Sequence, residues 1–484
     1  MMQDFLESNF PTFKAAARAG YRLVKLKFMA SVRIGRKLVK PVIVVFIVML
    51  VAHAILMLVW GRQLENRREQ IRKSGDPVSP SDLMLKPVPD SENAAVIYQR
   101  AFRLFGRPHG LYSSPIDEYI SVREPRISWA KVEPVMRKSV QDAAPIYPLI
   151  REALARPKCV FPVNWSEGPM ASFLHVGKLS EMGRLQLAKA ILEARDGNTD
   201  AAIDDICITL QLSDALKDEP RLISQLIRYR LIQMVSVSLE DISNIHPLTP
   251  RQAKIMRDEM NRIELQPGFM AAMKGERTII VWFYDAVRKD WSMFEALTTI
   301  PNNGPEYVPE SLRKAGNIIM TYLCRPFIYK GEMISMDFWE EQIRLVALPY
   351  PELDKQKSRL DPWLETPKYA IVTRLFFNAC ISSAASKESA NARLGLAQVA
   401  MALQAYKAEA GAYPASLAEL KSKIDWALPE DPFTGKPLIY NRVGKGFKLY
   451  SFGMNMKDDG GVPLDNMVKS RLQGKDDIVW TSDL

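Results

Sequence analysis

Residues 41–60, PVIVVFIVMLVAHAILMLVW, form an uncharged apolar run, and no other feature of this sequence constrains its fold as strongly. A helix rises about 1.5 Å per residue, so a run of this length covers roughly the 30 Å of hydrocarbon in a bilayer. A helix buried in a soluble core is one alternative, but such helices seldom lack every charge over this length. A cleaved signal peptide is disfavoured because 1–40 is too long a leader and no small-residue cleavage pattern follows the run. The run therefore predicts a transmembrane helix.

The flanks of the run predict its orientation. Residues 1–40 hold nine Lys and Arg residues and two acidic ones, whereas 61–73 hold five and two. The more basic flank stays in the cytoplasm, so we expect a cytoplasmic N-terminus, an inner-membrane span and a periplasmic bulk. The two flanks account for the whole formal charge of +10, which leaves residues 74–484 formally neutral. We therefore expect the lipid bilayer as a partner and no nucleic acid.

The rest of the chain has the composition of a globular protein. Hydrophobic residues make up 47% of the sequence and charged residues 25%, so a large core is expected. The four cysteines, Cys159, Cys207, Cys324 and Cys380, are far apart and form no CxxC pair, which disfavours zinc and thioredoxin-type sites. An oxidising compartment could pair some of them, and otherwise they serve as small buried apolar residues.

Helical periodicity dominates the first part of the exported region. Residues 61–90 predict a short charged helix and then a proline-rich strap, and 91–346 predict an α-helical domain. The clearest helical segments are 131–156, 168–197, 199–217, 220–245, 249–263, 268–290 and 328–346. One pair of these, joined by Gly197–Asn198, resembles a tetratricopeptide-type hairpin, although no 34-residue repeat accompanies it. We predict an irregular helical domain and a mainly α protein.

The pattern changes after a second cluster of prolines. Residues 347–367 predict a linker, and 368–484 predict a separate α+β domain. A long helix is expected to end near Ala410, because Tyr413–Pro414 disfavours further helix. Short strands are then expected at 437–442, 446–452 and 477–481, forming a small antiparallel sheet against that helix.

Residues 391–480 carry a set of ordered motifs within this domain. These are ALQAYKAEAG, Tyr413–Pro414, SLAEL, LPEDPFTGKPLIY, GFKLYSFG, DDGG at 458–461 and DDIVW at 476–480. In this order they resemble the globular part of the major pseudopilins of type II secretion systems. The resemblance implies the long-helix-plus-sheet fold and a role in or beside a secretion or pilus-like apparatus.

The same resemblance implies a calcium site in the loop between the last strands. Calcium takes six to eight oxygen ligands, which carboxylates and carbonyls of a glycine-bent loop can provide. The matching positions are Asn455, Asp458, Asp459, Asp476 and Asp477. Asn455 stands where the family usually has Asp, and the loop from Val462 to Lys475 is longer than usual.

The position of the hydrophobic segment departs from the family pattern. A pseudopilin begins with a short processed leader and an apolar helix that bears a Glu and runs on into the globular domain. Here the run at 41–60 has no acidic residue and lies more than 300 residues before the matching helix. We therefore expect a permanent envelope component. The overall layout also resembles large families of bacterial single-pass envelope proteins.

Motifs that carry catalysis are missing from the sequence. It contains no HExxH, P-loop, nucleophile elbow or Rossmann fingerprint, and its histidines are His53, His109, His175 and His246. His53 lies within the apolar run, where a tolerated polar residue is the simplest interpretation. His175 could face a groove with Glu181 nearby on its helix, or make a structural polar contact.

Two functional hypotheses follow. The first is a non-enzymatic, membrane-anchored scaffold or assembly protein, whose pilin-like module docks to an envelope protein of a secretion or pilus-like apparatus. The second is a membrane-anchored hydrolase or ligand-binding protein with its pocket in the helical domain. A deep cavity ringed by paired carboxylates or His175 would favour the second hypothesis, and a shallow groove with exposed aromatic residues the first.

Overall fold

The computed structural model describes residues 11–104, 115–121, 127–290, 292–293, 310–365, 367, 370, 379–462 and 477–482. The described chain is mainly helical, with a small antiparallel sheet near its C-terminus, as the sequence predicts.

The first helix, α1 (Pro11–Lys73), is continuous over 63 residues and contains both the apolar run and the charged helix expected after it. Its part from Lys40 to Lys73 holds an apolar stretch that is long enough, by length and composition, to cross a membrane. None of that stretch is buried in the protein, and the side chains of Val42 to Val51 are exposed. Basic residues fill the last turn of α1, where they interact favourably with the helix dipole.

The helices of the exported part follow in chain order. They are α2 (Ala94–Leu104), α3 (Pro115–Ser121), α4 (Trp129–Asp142), α5 (Tyr147–Leu154), α6 (Leu174–Arg195), α7 (Thr199–Ser213), α8 (Leu222–Ile245), α9 (Pro250–Met260), α10 (Gln266–Val287) and α11 (Glu310–Val346). Single 3₁₀ turns at Pro80–Leu83 and Trp165–Met170 pack together below α10.

Helices α6, α7 and α8 form the centre of the helical part. The turn between α6 and α7 uses Gly197 at φ 89°, a conformation that suits glycine because other residues pay a steric cost there. Helices α6 and α8 approach closely at Gly183, where a Cβ atom would come within 2.5 Å of Leu231. Helix α9 begins at a capping box in which Thr249 and Gln252 satisfy each other's backbone N–H groups. The predicted segments 199–217 and 249–263 match α7 and α9 to within a few residues.

Helices α10 and α11 connect the helical part to the membrane anchor. Leu64 and Ile71 of α1 are buried against Val281 of α10 and Met336 of α11 in one apolar cluster. Gly61 of α1 lies against the ring of Tyr329, at a distance where a Cβ atom would be in ordinary contact. The anchor helix therefore enters the soluble part as one of its packed helices.

The C-terminal part begins with the predicted linker. That stretch contains a short helix, α12 (Tyr350–Gln356), and 3₁₀ turns at Lys357–Glu365. The long helix α13 spans Ala379–Ala410 and is followed by α14 (Leu417–Lys421). The strands are β1 (Glu430–Asp431), β2 (Lys436–Pro437), β3 (Ile439–Val443), β4 (Gly446–Ser451) and β5 (Ile478–Ser482).

The sheet is antiparallel, with order β3-β4-β5 beside the β1-β2 pair. Tyr440 faces Leu449, and Leu449 faces Trp480 across the next pair of strands. Helix α13 packs on one side against β4 and β5, and on the other against α8 and α9. Leu239 of α8, Leu403 of α13 and Trp480 of β5 belong to one continuous apolar core. All four cysteines are free thiols.

Candidate functional site

The acidic loop after β4 contains most of the residues that the sequence predicts as metal ligands. It leaves the sheet at Ser451, turns through glycines with positive φ at 453, 460 and 461, and returns at Asp477, just before β5. Gly461 is required by space as well, because a Cβ atom there would come within 2.8 Å of the Tyr450 ring. Asp476 lies outside the described residues.

Asp477 is the buried centre of this loop. Its Oδ2 atom accepts hydrogen bonds from the backbone N–H groups of Asp459 (3.1 Å) and Gly461 (2.7 Å). Its Oδ1 atom is buried and has no hydrogen-bond partner among the described residues. Burial raises the pKa of Asp477 to about 6, and the negative charges of Asp459 and Asp458 add to that rise. The carboxylate is therefore held in a place where an ionised form is penalised.

The other predicted ligands surround Asp477. Asp458 Oδ1 accepts from the backbone N–H of Gly460 at 2.9 Å and from the Tyr450 hydroxyl at 3.1 Å. Asn455 donates through Nδ2 to Asp459 Oδ2 at 2.9 Å. Burial and the hydrogen bond to Asp458 raise the pKa of Tyr450 to about 12. Within the described ranges, no group of three or more His, Cys, Asp or Glu side chains has the spacing to hold a metal ion as it stands.

Asp431 gives the loop its base, a role that the sequence did not reveal. This carboxylate is buried and accepts from the backbone N–H groups of Phe433 (3.0 Å) and Phe452 (3.1 Å). It also accepts from the hydroxyls of Thr434 (3.0 Å) and Ser451 (2.7 Å). It ties the β1-β2 turn to the end of β4. The DPFTG motif was the available signal, because an Asp two residues before a turn often bonds to the backbone of that turn.

His175 is part of a packed interior. Its Nε2 atom is hydrogen-bonded to Glu219 Oε2 at 2.7 Å, so its partner comes from the turn before α8. Its ring stacks on Phe161, with 4.2 Å between the ring centroids. The other oxygen of Glu219 accepts from the Ser224 hydroxyl at 2.5 Å. Because Glu219 joins His175 and Ser224, the two do not contact each other as a nucleophile and its base would.

A cleft of about 250 Å³ opens elsewhere on the helical part and does not include His175. It is lined by Asp214, Lys217, Asp218, Arg228, Arg262, Glu264, Pro267 and Gly268. Buried Arg228 donates to Asp214 Oδ1 at 2.6 Å and to the Glu264 carbonyl at 3.1 Å. The charge of its buried cation is therefore balanced within the wall.

The junction between anchor and soluble part holds a second buried carboxylate, Glu332 of α11. Arg68 of α1 donates to Glu332 Oε1 at 2.5 Å and to Asp285 at 2.9 Å. Arg288 of α10 contacts both Glu332 and Asp285. Burial raises the pKa of Glu332 despite these arginines. Burial also acts on Asp285, but there Arg288 and Arg68 outweigh it and lower the pKa. From sequence, Arg68 counted only as a flanking charge.

No family model matches this chain, and no curated protein or solved structure matches it either.

Proposed function

We propose that this protein is a non-enzymatic, membrane-anchored scaffold of the bacterial envelope. Its N-terminus lies in the cytoplasm, its apolar helix crosses the inner membrane, and its soluble part stands in the periplasm. It holds the C-terminal α+β module at a fixed position relative to the bilayer and presents it to an envelope protein of a secretion or pilus-like apparatus. The observation that carries this proposal is the unbroken path of packed helices from anchor to module.

The first section of that path is the junction. Helix α1 leaves the apolar stretch without a break, and its residues Leu64 and Ile71 are buried in the soluble part. Arg68 is shared between Glu332 of α11 and Asp285 of α10, so one side chain bonds two other helices. Arg67 adds an exposed contact to Asp337 at 2.6 Å. A helix held by both apolar packing and buried ion pairs turns with the domain that it enters.

The second section joins the helical part to the module. Asn244 of α8 donates to the carbonyl of Thr481 in β5 at 3.1 Å, and Glu240 accepts from the backbone N–H of Thr481 at 2.8 Å. Arg393 of α13 donates to the Val479 carbonyl at 3.0 Å. The outer edge of β5 is thus bonded to the helical part, which supports a module that does not move separately. The opposite edge strand, β3, remains exposed at Val443.

The acidic loop adds a calcium ion to the proposal. Asp477 would hold the ion through its unpartnered Oδ1 atom, with Asp458 and Asp459 as neighbouring carboxylates. A divalent cation would offset the like charges that raise the pKa of Asp477 and would order the loop. The departures at Asn455 and in the loop length suit a site of modest affinity. The pseudopilin resemblance supports the choice of calcium and of a secretion-type partner.

Photo-crosslinking in native membranes tests the docking proposal. A photoreactive amino acid replaces Val443 on the exposed edge of β3 in the full-length protein, and a matched control replaces the equally accessible Met84 in the strap. We expect secretion or pilus-apparatus proteins to be recovered from the Val443 position and not from Met84. Recovery of no such protein from Val443, or equal recovery from both positions, would overturn the docking role.

A further inference from the structure

The first half of α11 carries an apolar surface that the soluble part does not cover. The side chains of Ile318, Ile319, Met320, Tyr322, Leu323 and Phe327 are between 40% and 72% exposed. In the second half of the same helix, Met336, Phe338 and Trp339 are fully buried. Soluble proteins rarely leave so many neighbouring large apolar side chains in water.

This exposed half lies beside the apolar stretch of α1. The rings of His53 and Tyr322 are 5.0 Å apart, and those of Trp60 and Phe327 are 6.1 Å apart. Farther along, Arg67 meets Asp337. The contacts therefore advance in the same direction along both helices, with a sequence offset of 269 at His53 and 270 at Arg67. The two helices run parallel, and each turn of α11 has a counterpart at its own level on α1.

The level of these contacts decides what surrounds them. Exposed apolar side chains on α1 continue as far as Val59, so a bilayer around this stretch extends to about Trp60, a residue type that favours the membrane interface. Tyr322 to Phe327 lie directly beside His53 to Trp60. Lipid cannot surround one helix at this level while its packed neighbour stands in water. Ile318 lies about one helical turn beyond Tyr322, farther from the soluble part.

Pro326 and His53 give independent support. A proline has no N–H, so Pro326 leaves the carbonyl of Tyr322, four residues earlier, without its helical donor. His53 Nε2 lies 3.1 Å from that carbonyl oxygen and replaces the missing donor. In hydrocarbon, a freed backbone carbonyl needs such a partner because water cannot reach it. The polar residue in the middle of the apolar run therefore has a specific role.

We infer that residues 318–327 of α11 form a second membrane-embedded segment, packed on the anchor helix and in contact with acyl chains of the leaflet nearer the soluble part. The inference rests on the proposed membrane anchor. Lys314 and Arg325 limit the uncharged stretch to 315–324, which is too short to be recognised as a span from hydropathy. Arg325 lies near the level of Trp60, where a long side chain reaches the headgroups.

Fluorescence quenching in phosphatidylcholine vesicles tests this placement. The full-length protein, with its native cysteines replaced by alanine, carries a bimane on a single cysteine introduced at Leu323, at Ile55 or at Leu174. Ile55 lies at the level of Leu323 on the anchor helix, and Leu174 is an exposed residue of the soluble part. We expect nitroxide-labelled lipid to quench the labels at 323 and 55 to a similar extent, and aqueous iodide to quench only the label at 174.

The outcomes separate the two proposals. A label at 323 that iodide quenches as strongly as the label at 174, while the label at 55 responds to lipid, would overturn the embedded segment and leave the anchor standing. A label at 55 that lipid does not quench would overturn the anchor itself. A photoreactive phenylalanine at Leu323 in the protein with all its native cysteines provides the second measurement. We expect it to crosslink to lipid, and crosslinking only to protein would contradict the inference.

Discussion

Two buried carboxylates at opposite ends of the molecule differ in how their charge is balanced. Glu332, below the anchor, contacts two arginines from two other helices, Arg68 and Arg288. Asp477, in the distal loop, has backbone N–H donors for one oxygen only, and its charged neighbours are the carboxylates of Asp458 and Asp459. An ionised group is costly to bury unless it is paired. The chain itself supplies the pairing at the junction, whereas in the loop it leaves room for a cation.

The difference indicates two kinds of function. A carboxylate compensated within the chain holds helices together under all conditions in which it stays ionised. A carboxylate that lacks an internal partner makes its loop responsive to pH and to metal. The junction is therefore a permanent connection, and the loop is the part of the scaffold whose order depends on its surroundings.

The largest effect is expected at the junction. Glu332→Ala leaves Arg68 and Arg288 without their shared carboxylate, which costs on the order of 3 kcal/mol because buried charges lose their partner. Chemical denaturation of the full-length protein in detergent measures this loss. Asp337→Ala is the matched control, since Asp337 is half exposed on the same helix and its pair with Arg67 contributes about 1 kcal/mol or less. Equal losses in the two variants would show that Glu332 is not the clamp.

The next effect concerns pH. Asp477 has a pKa near 6 in the folded protein, above its value of about 3.9 when unfolded, so the folded state binds the proton more tightly. In the metal-free protein, stability should therefore be highest below pH 4 as far as this group is concerned, and fall between about pH 4 and 6 by on the order of 2 kcal/mol. Asp477→Asn should remove that fall. A variant that retains the same pH dependence would place its cause in another group.

Calcium should reverse the penalty at neutral pH. For a site with a dissociation constant of about 0.1 mM, 1 mM calcium stabilises the folded state by about 1.4 kcal/mol. We expect calcium to raise the melting temperature of the full-length protein, and EDTA to lower it again. Asp477→Asn should abolish both changes, while Asp425→Asn, an exposed control in the same module, should keep them. An unchanged melting curve in the wild-type protein would remove calcium from the proposal.

The smallest expected effect lies in the pair formed by His53 and Pro326. His53→Leu deprives the Tyr322 carbonyl of its donor and should cost about 1 kcal/mol. In a Pro326→Ala background the backbone supplies that donor, so the same histidine substitution should cost less. Denaturation of the four members of this double-mutant cycle measures the coupling. Additive effects would mean that the histidine does not replace the missing helical bond.

Local patterns in the sequence predicted much of this fold. The apolar run, the charged helix after it, the helices around Gly197 and the strand near 446–452 depend on neighbours in the chain, and the structure has them within a few residues. Two features of the C-terminal domain follow the predicted pattern as well, the long helix ending at Ala410 and the antiparallel sheet.

Long-range pairing was not accessible to the same patterns. Arg68 meets Glu332 across 264 residues, and His53 meets Tyr322 across 269. Flank charge and hydropathy therefore assigned both anchor residues to the membrane border or to the span, with no partner. In the distal loop the sequence indicated which carboxylates are neighbours. It did not indicate that Asp477 is the buried one, because that depends on how β4 and β5 enclose it.

A spin-label distance measurement tests the central claim that the anchor and the module move as one body. Labels are placed at Gln63, just below the apolar stretch, and at Lys445, in the β3-β4 turn, both of which are exposed. The full-length protein is then reconstituted in lipid nanodiscs. We expect a single narrow distance distribution, because packed helices connect the two sites without a flexible joint. A broad distribution, or two well-separated maxima, would contradict a scaffold that holds its module at a fixed position relative to the membrane.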